Sequence, residues 1–360
     1  MDQQDLSGAC QQAIKTSDQL KIRIDQHPEK FRILTGERPT GPLHIGHYFG
    51  TLQNRLILQK KGVELWIVIA DYQVLTDRDA GSSIRENVIE VMADYLSIGI
   101  DPTCQGTTIF AHSCVRALNQ LLIPFLSLVP SGDLERNPTV KNEIQLAGLK
   151  SVNGLMYTYP VHQAADILFC HGNLVPGGMD QLPHIEQARE IARRFNDRYA
   201  KKGKPYFQEP HILLSEAPLL LGLDGRKMSK SLNNSIALRD SADQTARLIK
   251  KAKTDSDRNI TYDPTGRPDV ANLLLITSLC SGQKPEAVAA QIGDGGAGKL
   301  KAVMTEAVNE YFAPVRAKRL ELITDKQYLL EQLAIGNQKA NVVAERTLIA
   351  VQKMLGMDLG

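Results

Sequence analysis

The sequence lacks the features that mark secreted, disulfide-bonded or membrane-spanning proteins. It has five cysteines among 360 residues, and their scattered positions, without a C-x-x-C spacing, argue against a disulfide framework or a zinc site. The longest apolar runs, such as residues 65–70, are too short to cross a bilayer. The first 20 residues are polar and of mixed charge, unlike a signal peptide. We therefore expect a cytoplasmic protein with no membrane partner and no metal site built from its own side chains.

A strong charge of either sign is also missing. The formal net charge is +2, with 42% hydrophobic and 23% charged residues, which is close to ordinary soluble composition. This balance argues against a strongly basic DNA-binding protein, so any RNA binding must come from local basic patches. The length allows one large domain or two ordinary ones.

The middle of the chain alternates apolar runs with amphipathic stretches. The apolar runs predict strands at residues 31–35, 65–70, 107–111 and 173–176. Between them, the patterns predict helices from about residue 44 and at 83–95, 115–126 and 181–195. Strands that alternate with helices form a parallel sheet covered on both faces. The sequence therefore predicts an α/β fold with a doubly wound parallel sheet.

The ends of the chain have a different character. Residues 1–28 read as a polar N-terminal extension, and everything after residue 236 is mostly helical in pattern. Helices are predicted there at 242–253, 270–279, 300–311, 313–324 and 340–355. We therefore divide the chain into the extension, an α/β domain at 29–236 and an all-helical domain at 237–360.

A short motif, His44-Ile45-Gly46-His47, follows the first predicted strand and a turn-rich loop. A helix start presents unpaired N–H groups and a partial positive charge, which favour phosphate. Gly46 would let a ligand approach the backbone, and both imidazoles could donate to phosphate oxygens. Taken alone, the motif is equally typical of two surface histidines, and a metal site would lack a third ligand nearby.

A second motif, Lys227-Met228-Ser229-Lys230-Ser231, lies in a predicted loop. Two lysines three residues apart, with small hydroxyl residues between them, make a compact set of donors for a triphosphate. Taken alone, this motif is more typical of a solvated basic loop.

The two motifs together resemble the signatures of the class I aminoacyl-tRNA synthetases, and both occur here letter for letter and in the family's order. The resemblance covers about residues 31–355 and implies a Rossmann-like catalytic domain with a C-terminal helical domain. It also implies the reaction. An amino-acid carboxylate attacks the α-phosphate of ATP, with Mg²⁺ on the phosphates, and the acyl group then passes from the adenylate to the 3′ end of tRNA.

The resemblance assigns roles to residues of both motifs. His44 and His47 would stabilise the pentacoordinate phosphate, and Lys227 and Lys230 would hold the leaving pyrophosphate. Lys141 matches a family lysine that reaches the phosphates, although a solvated lysine is an equal alternative. The ATP-binding candidates are Arg38, Pro39, Thr40, Gly46, His47, Gly178, Met179, Asp180, Gln181, Leu219, Lys227, Met228, Ser229, Lys230 and Ser231.

Three polar residues, Tyr159, Gln163 and Asp166, fall at positions i, i+4 and i+7 of a possible helix. A buried carboxylate on this stripe demands a donor, which either an internal network or a substrate ring with an N–H or O–H could supply. The stripe resembles the pocket helix of the tyrosine and tryptophan synthetases. There, Tyr159 and Gln163 would hold the substrate α-amino group, and Asp166 would accept from the ring.

Several features are similar to the tryptophan members of that subclass. Leu34 stands where tyrosine members place a tyrosine, so it offers the substrate ring only apolar contact. Further similar segments are residues 36–41, 174–181, 193–196, 252–255, 281–283 and 339–341. The substrates implied are L-tryptophan, ATP and tRNA(Trp).

Three residues depart from the tryptophan pattern. Many tryptophan members have glutamine, methionine and valine in place of Arg38, Gln163 and Gly177. Since Gln163 is the tyrosine-type residue, a tyrosine–tRNA ligase stays the nearest alternative. A nucleotidylyltransferase would share the fold and a His-x-Gly-His motif, and a non-catalytic paralogue would bind RNA or protein. Neither would need both motifs.

The resemblance also implies an anticodon-binding role for the helical domain and a symmetric homodimer. Dimers of the family join through an insertion, which here corresponds to about residues 112–172. Basic groups that could contact RNA lie on the predicted tail helices, although a solvated helix surface is as good an explanation. They are Arg247, Lys250, Lys251, Lys253, Arg316, Lys318 and Arg319.

Overall fold

A five-stranded parallel sheet lies at the centre of the computed structural model, which describes residues 3–76, 83–146, 151–215, 220–229 and 232–359. The strands run in the order β3-β2-β1-β4-β5, the order of a Rossmann-like half-fold extended by two strands. Their bounds are Arg32–Glu37 (β1), Glu64–Ile69 (β2), Thr107–Ala111 (β3), Leu174–Gly177 (β4) and His211–Leu214 (β5). The predicted doubly wound parallel sheet is therefore confirmed.

Both faces of the sheet are buried. Successive side chains of a strand point to opposite sides, and each side packs into a hydrophobic core. In β2, Leu65 and Ile67 pack into one hydrophobic core, whereas Trp66 and Val68 pack into the other. The near-continuous apolar strands read from the sequence thus reflect helices on both faces.

Fifteen α-helices are present in the part of the chain that the structure describes. A π-helical turn, Tyr48–Leu52, joins the helices Ile45–His47 and Gln53–Lys60, so the chain is helical from residue 45 to residue 60. The helices are Gln3–Gln26 (α1), Ile45–His47 (α2), Gln53–Lys60 (α3), Ile84–Ser97 (α4), Arg116–Gln120 (α5), Leu122–Leu126 (α6), Ser131–Arg136 (α7), Pro138–Leu146 (α8), Gly154–Phe169 (α9), Leu182–Tyr199 (α10), Ala242–Lys250 (α11), Pro268–Ser281 (α12), Pro285–Ile292 (α13), Gly296–Thr324 (α14) and Lys326–Met354 (α15). None of these described helices is long and apolar enough to span a membrane.

The N-terminal segment, predicted as a polar extension, is mainly the helix α1, which covers the β5 edge of the sheet. Ala13, Leu20 and Ile24 of α1 are buried, and the Ser17 hydroxyl accepts a hydrogen bond from the Leu214 N–H of β5 at 2.9 Å. Since an edge strand exposes backbone groups that would otherwise pair with another chain, α1 protects this edge.

The opposite edge, β3, is covered by α15. Gly336 brings this helix so close that a Cβ there would lie 1.8 Å from the Ile109 carbonyl oxygen. The Asn337 side-chain oxygen accepts the Ala111 N–H at 2.9 Å, and the Asn341 amide donates to the Cys114 carbonyl at 2.7 Å. The C-terminal helix therefore takes the place of a further strand.

Two predictions about the helical tail were wrong. A single helix, α14, replaces the two helices predicted at 300–311 and 313–324, and it continues through Pro314 because buried residues on both sides, such as Phe312 and Leu322, hold it against the core. Arg319, expected at the surface, is buried, and its Nε donates to Asp94 Oδ1 of α4 at 2.6 Å.

The helical tail packs directly on one face of the sheet. One buried cluster joins Ile33 and Leu43 from before residue 237 with Val270 and Leu300 from after it. The division into domains at residues 28 and 236 stays a prediction.

Candidate active site

A cavity of about 330 Å³ opens where the strand order reverses, beside the carboxyl ends of β1 and β4. Ligands of doubly wound sheets bind in the crevice at this switch point. Its walls come from the end of β1, the helices α3 and α9, and the turn between β4 and α10. The sequence-predicted residues that line it are Leu34, Arg38, His47, Tyr159, Gln163, Asp166, Gly178, Asp180 and Gln181.

The two histidines of the first motif cap the start of the helical segment. The His47 N–H donates to His44 Nδ1 at 3.3 Å, and the His44 N–H donates to His47 Nδ1 at 3.2 Å. Because each Nδ1 accepts a hydrogen bond, the proton of each neutral ring lies on Nε2. His47 faces the cavity as a donor, whereas His44 is buried and does not line it.

The second motif meets the first at Gly46. A Cβ on Gly46 would lie 2.8 Å from Met228 Sδ, so the missing side chain makes room for the second motif. The backbone agrees, because the Ile45 N–H donates to the Ile236 carbonyl at 3.0 Å and His44 forms an isolated bridge with Ala237. Two motifs that are far apart in sequence therefore lie side by side.

The loop of the second motif is organised by a buried asparagine. Asn234 accepts the Ser229 N–H at 2.9 Å, and its amide donates to Asp224 Oδ1 at 2.8 Å and to the Lys227 carbonyl at 3.1 Å. Lys227 itself is exposed and does not line the cavity. Lys230 and Ser231 lie outside the described residues.

Helix α9 contributes the polar stripe. Its start is capped by Asn153, whose side chain accepts the Met156 N–H at 2.9 Å, and the helix includes Pro160. Tyr159, Gln163 and Asp166 all reach the cavity from this one helix. Their placement matches the predicted spacing, while their roles in binding stay a prediction.

Tyr159 is held by a histidine that sequence reasoning did not select. Its hydroxyl lies 3.2 Å from His184 Nε2. Burial lowers the pKa of His184 to about 4, so this ring is neutral near pH 7. Burial, reinforced by the nearby Glu143 carboxylate, raises the pKa of the Tyr159 phenol. The phenol therefore stays protonated at the wall of the cavity.

Asp166, at the deep end of the cavity, is only 1% exposed. His112 Nε2 lies 2.7 Å from its Oδ1, an ion-pair contact whose direction is not aligned for a hydrogen bond. His112 belongs to the turn after β3 and is fully buried behind Asp166. The Asp166 carboxyl group is thus held by His112 from behind and can present an acceptor oxygen to the cavity.

A second buried ion pair supports the loop after β1. Arg55 of α3 donates from Nη1 to Glu37 Oε2 at 2.8 Å, and Tyr95 of α4 donates to the same carboxylate. Burial by itself would lower the pKa of Arg55, but the Glu37 charge holds it above its usual value. Arg38, the next residue, faces the cavity and has its Nη2 3.7 Å from Glu143 Oε1.

The turn after β4 presents backbone and an acidic side chain to the cavity. A Cβ on Gly178 would lie 2.6 Å from Asp180 Oδ1, so glycine leaves room for the carboxylate to fold back. The Thr139 hydroxyl donates to the Asp180 carbonyl at 3.1 Å and ties α8 to this turn. Met179 lines a neighbouring cavity beside α1 instead.

Other predicted residues are not brought to the cavity. Lys141 is exposed on α8, and Pro39 and Thr40 lie in the loop beyond Arg38. Gly46 and Met228 form the contact between the motifs, Ser229 donates its N–H to Asn234, and none of the three lines the cavity. Leu219, the predicted adenine neighbour, lies outside the described residues.

Sequence reasoning missed His184, Glu143 and Arg55, all of which line the cavity, and His112 behind it. One signal could have found His184. It directly precedes Ile185 at the start of the buried face of α10, where a polar residue demands a partner. His112 gives no such signal, because a short turn has no periodicity to mark its buried positions.

The parallel sheet, the switch-point cavity and the two adjoining motifs define a nucleotide-binding enzyme of the class I synthetase type. A family described as tRNA synthetases class I (W and Y), that is, tryptophan and tyrosine, matches residues 26–313. The chain belongs to this family.

Individual relatives agree with the family match. The tryptophan–tRNA ligase of Clostridium longisporum is 40% identical over 335 residues, which cover 91% of this chain and 97% of that protein. The tryptophan–tRNA ligase of Streptococcus pyogenes serotype M1 is 40% identical over 339 residues, which cover 91% and 98%.

Among solved structures, the tryptophanyl-tRNA synthetase of Campylobacter jejuni, complexed with ADP and tryptophan, has a TM-score of 0.79 and 33% identity. The match covers 91% of this chain and all of that one. A tyrosyl-tRNA synthetase from Archaeoglobus fulgidus, complexed with L-tyrosine, reaches a TM-score of 0.62 at 20% identity, covering 80% of this chain and 90% of that one. This second likeness concerns the fold alone.

Proposed function

We propose that this protein is a tryptophan–tRNA ligase that activates L-tryptophan with ATP and transfers it to tRNA(Trp). One observation carries the proposal. A single cavity at the switch point joins a buried carboxylate and an apolar wall at its deep end to His47 at its mouth, where the first motif contacts the second. Amino-acid recognition and phosphate chemistry thus share one site.

The deep end fits the amino acid. Leu34 and Val68 offer an apolar wall, and Asp166 would accept the N–H of an indole ring. Gln163 and Tyr159, one and two turns earlier on α9, would hold the α-amino group. Leu34 brings no hydroxyl for the phenol of tyrosine, so a phenol would lose a hydrogen bond that tyrosine-specific sites exploit.

The mouth fits the nucleotide. His47 and Arg38 would bind phosphate oxygens, and Asp180 would accept from the ribose hydroxyls, with Gly178 allowing close approach. The lysines of the second motif and Lys141 would reach the phosphates as the loops close. Mg²⁺ would neutralise phosphate charge, held mainly by the phosphate oxygens and water, as is usual for this ion.

The reaction needs positioning and charge stabilisation more than covalent help from the protein. A carboxylate oxygen of tryptophan bonds to the α-phosphorus, and the bond from that phosphorus to the pyrophosphate oxygen breaks. His47, protonated at Nε2, would donate to the α-phosphate oxygens, and Lys227 and Lys230 would stabilise the negative pyrophosphate. A terminal hydroxyl of tRNA then attacks the acyl carbon and releases AMP.

The tail would bind the tRNA anticodon. Arg247, Lys250, Lys251 and Lys253 are exposed on and just after α11, which suits contact with unstacked loop bases. The buried Arg319 is no longer a candidate. A homodimer through residues 112–172 is supported by Ile123, 75% exposed on α6, and a sedimentation measurement that returns a monomer would remove it.

The cytoplasmic assignment stays part of this proposal. The four cysteines whose side chains are described, Cys104, Cys114, Cys170 and Cys280, are free thiols, as a reducing compartment favours.

The deciding experiment is amino-acid-dependent exchange of pyrophosphate into ATP, run across all standard amino acids. We expect exchange with tryptophan and at least ~10²-fold poorer exchange with tyrosine, the scale of a single pocket misfit. Equal rates with the two amino acids would remove the tryptophan assignment, and exchange with no amino acid would remove the enzyme assignment.

A matched pair of histidine variants shows whether the activity belongs to this site. His47→Ala removes the donor at the cavity mouth and should abolish most exchange. His27→Ala changes a histidine whose side chain is 54% exposed near the N-terminal helix, and it should leave exchange unchanged. Similar rates for the two variants would point to a contaminating enzyme.

A further inference from the structure

Two histidines and an aspartate form a buried cluster behind the amino-acid end of the cavity. One ligand-type atom from each of His112, His162 and Asp166 lies within 4.8 Å of the other two, and all three residues are buried. Only Asp166 lines the cavity. Both histidines are therefore close enough to orient this carboxyl group.

His162 is committed elsewhere. Its Nε2 lies 2.8 Å from Asn119 Oδ1, and the Asn119 amide donates to the carbonyls of His112 and Val115. The amide thus fixes Oδ1 as the acceptor, so His162 carries its proton on Nε2. Burial lowers the pKa of His162 to about 4, and the ring is neutral near pH 7. It brings neither charge nor a second N–H to Asp166.

His112 is held rigidly against the carboxylate. Its carbonyl accepts from Asn119 at 2.7 Å, and the N–H groups on either side donate to Asn337 of α15 and to Asp71. Its Nε2 lies 2.7 Å from Asp166 Oδ1. Since His162 is committed to Asn119, His112 is the histidine of this cluster that can orient the Asp166 carboxyl group.

We propose that His112 is a positioning residue that orients the Asp166 carboxyl group toward the cavity, and that the pair thereby selects a substrate ring whose polar atom only donates. An indole N–H is a donor without acceptor capacity, whereas a phenol oxygen both donates and accepts. Because His112 Nε2 lies against Asp166 and His112 does not line the cavity, a phenol oxygen there would find no donor from His112. This inference rests on the proposed function and adds the origin of its ring selectivity.

The test compares tryptophan with its analogue in which sulfur replaces the ring N–H, in the wild type and in His112→Leu and His112→Gln. The readout is kcat/KM in pyrophosphate exchange, with KM for ATP measured alongside. We expect the wild type to prefer tryptophan by about 10- to 100-fold, the usual effect of one unmatched buried polar group.

His112→Leu should lose most of that preference through a raised KM for tryptophan. Its activity on the sulfur analogue and its KM for ATP should stay near wild type. His112→Gln keeps an N–H that can face Asp166, and it should retain most of the preference. The sulfur analogue is the internal control, because general damage to the pocket would lower both activities together.

Four outcomes would overturn the inference. Equal losses on both substrates in the leucine variant would make His112 merely structural, and an unchanged preference would make it dispensable. Loss of preference in a folded glutamine variant would contradict the donor role. One equivalent of zinc in the purified wild type, absent from His112→Leu, would make the cluster a metal site. Failure of the proposed function would be recognised separately, because the wild-type protein would then show no tryptophan-dependent pyrophosphate exchange.

Discussion

The buried contact between α14 and α4 leads to a prediction about stability that the structure makes quantitative. Arg319, 6% exposed, donates from Nε to Asp94 Oδ1 at 2.6 Å and also contacts Glu90. Asp94 is fully buried, and its other oxygen accepts the Leu43 N–H at 3.1 Å, just before the first motif. Arg319→Leu would keep the apolar packing and leave the buried Asp94 carboxylate without its positive partner.

Breaking a buried pair from one side typically costs about 3–5 kcal/mol of unfolding free energy, because a charge remains without compensation. Burial already raises the pKa of Asp94 while Arg319 opposes the rise, so the variant's Asp94 pKa should rise further. A carboxyl whose folded pKa lies above its unfolded pKa takes up a proton on folding. The stability of the variant should therefore fall as pH rises above the unfolded value, and the deficit should be larger at pH 8 than at pH 5.

Urea unfolding can be followed by the fluorescence of Trp66, the sole tryptophan, which lies buried in β2. Combining Arg319→Leu with Asp94→Asn removes the charge and keeps an acceptor for Leu43, so the double variant should recover much of the loss. The control is Lys318→Ala, whose exposed pair with Glu321 should contribute less than about 1 kcal/mol. A deficit that is independent of pH, or no recovery in the double variant, would refute this account of Asp94.

Two further predictions concern the covered edges of the sheet. Gly336→Ala should destabilise the protein by about 1–3 kcal/mol or more, since its Cβ would overlap the Ile109 carbonyl. The control is Gly298→Ala, in open space on α14, which should be neutral or stabilising. Thermal melting measures both variants, and equal shifts in melting temperature would contradict the packing. Ser17→Ala should cost about 1–3 kcal/mol in urea unfolding, because it leaves the Leu214 N–H of β5 without its acceptor, and a loss below about 0.5 kcal/mol would mean that water replaces the serine.

The sheet was predictable because its strands are apolar on both faces, but the end of the first strand was predicted wrongly because of a glycine. β3 has the bounds that the apolar run predicts. The first strand was expected to stop before Gly36, yet pairing with β2 continues through Gly36 and Glu37. A Cβ at Gly36 would lie 2.0 Å from the Val68 carbonyl oxygen. Here glycine permits a close approach between strands, which a single sequence cannot distinguish from a turn.

The parts of the site that follow local spacing were predictable, and the parts that depend on distant partners were not. Tyr159, Gln163 and Asp166 share a helix face by their spacing alone. His112 faces Asp166 from another part of the fold, and Arg319 reaches Asp94 across 225 positions of sequence. Helical spacing put Arg316 and Arg319 on one face of a surface helix, because periodicity describes the helix itself and not the carboxylate of another helix that packs against it.

The two helices that close the sheet lie almost entirely outside the residues matched to the family, 26–313. α1 accepts a backbone hydrogen bond of β5, and α15 does the same for β3. The second contact has a consequence for the site. The residues that α15 holds, Ala111 and Cys114, flank His112 in sequence. The position of the imidazole behind Asp166 therefore depends on the last helix of the chain, so a change in the packing of α15 acts on the ring end of the amino-acid pocket without touching it.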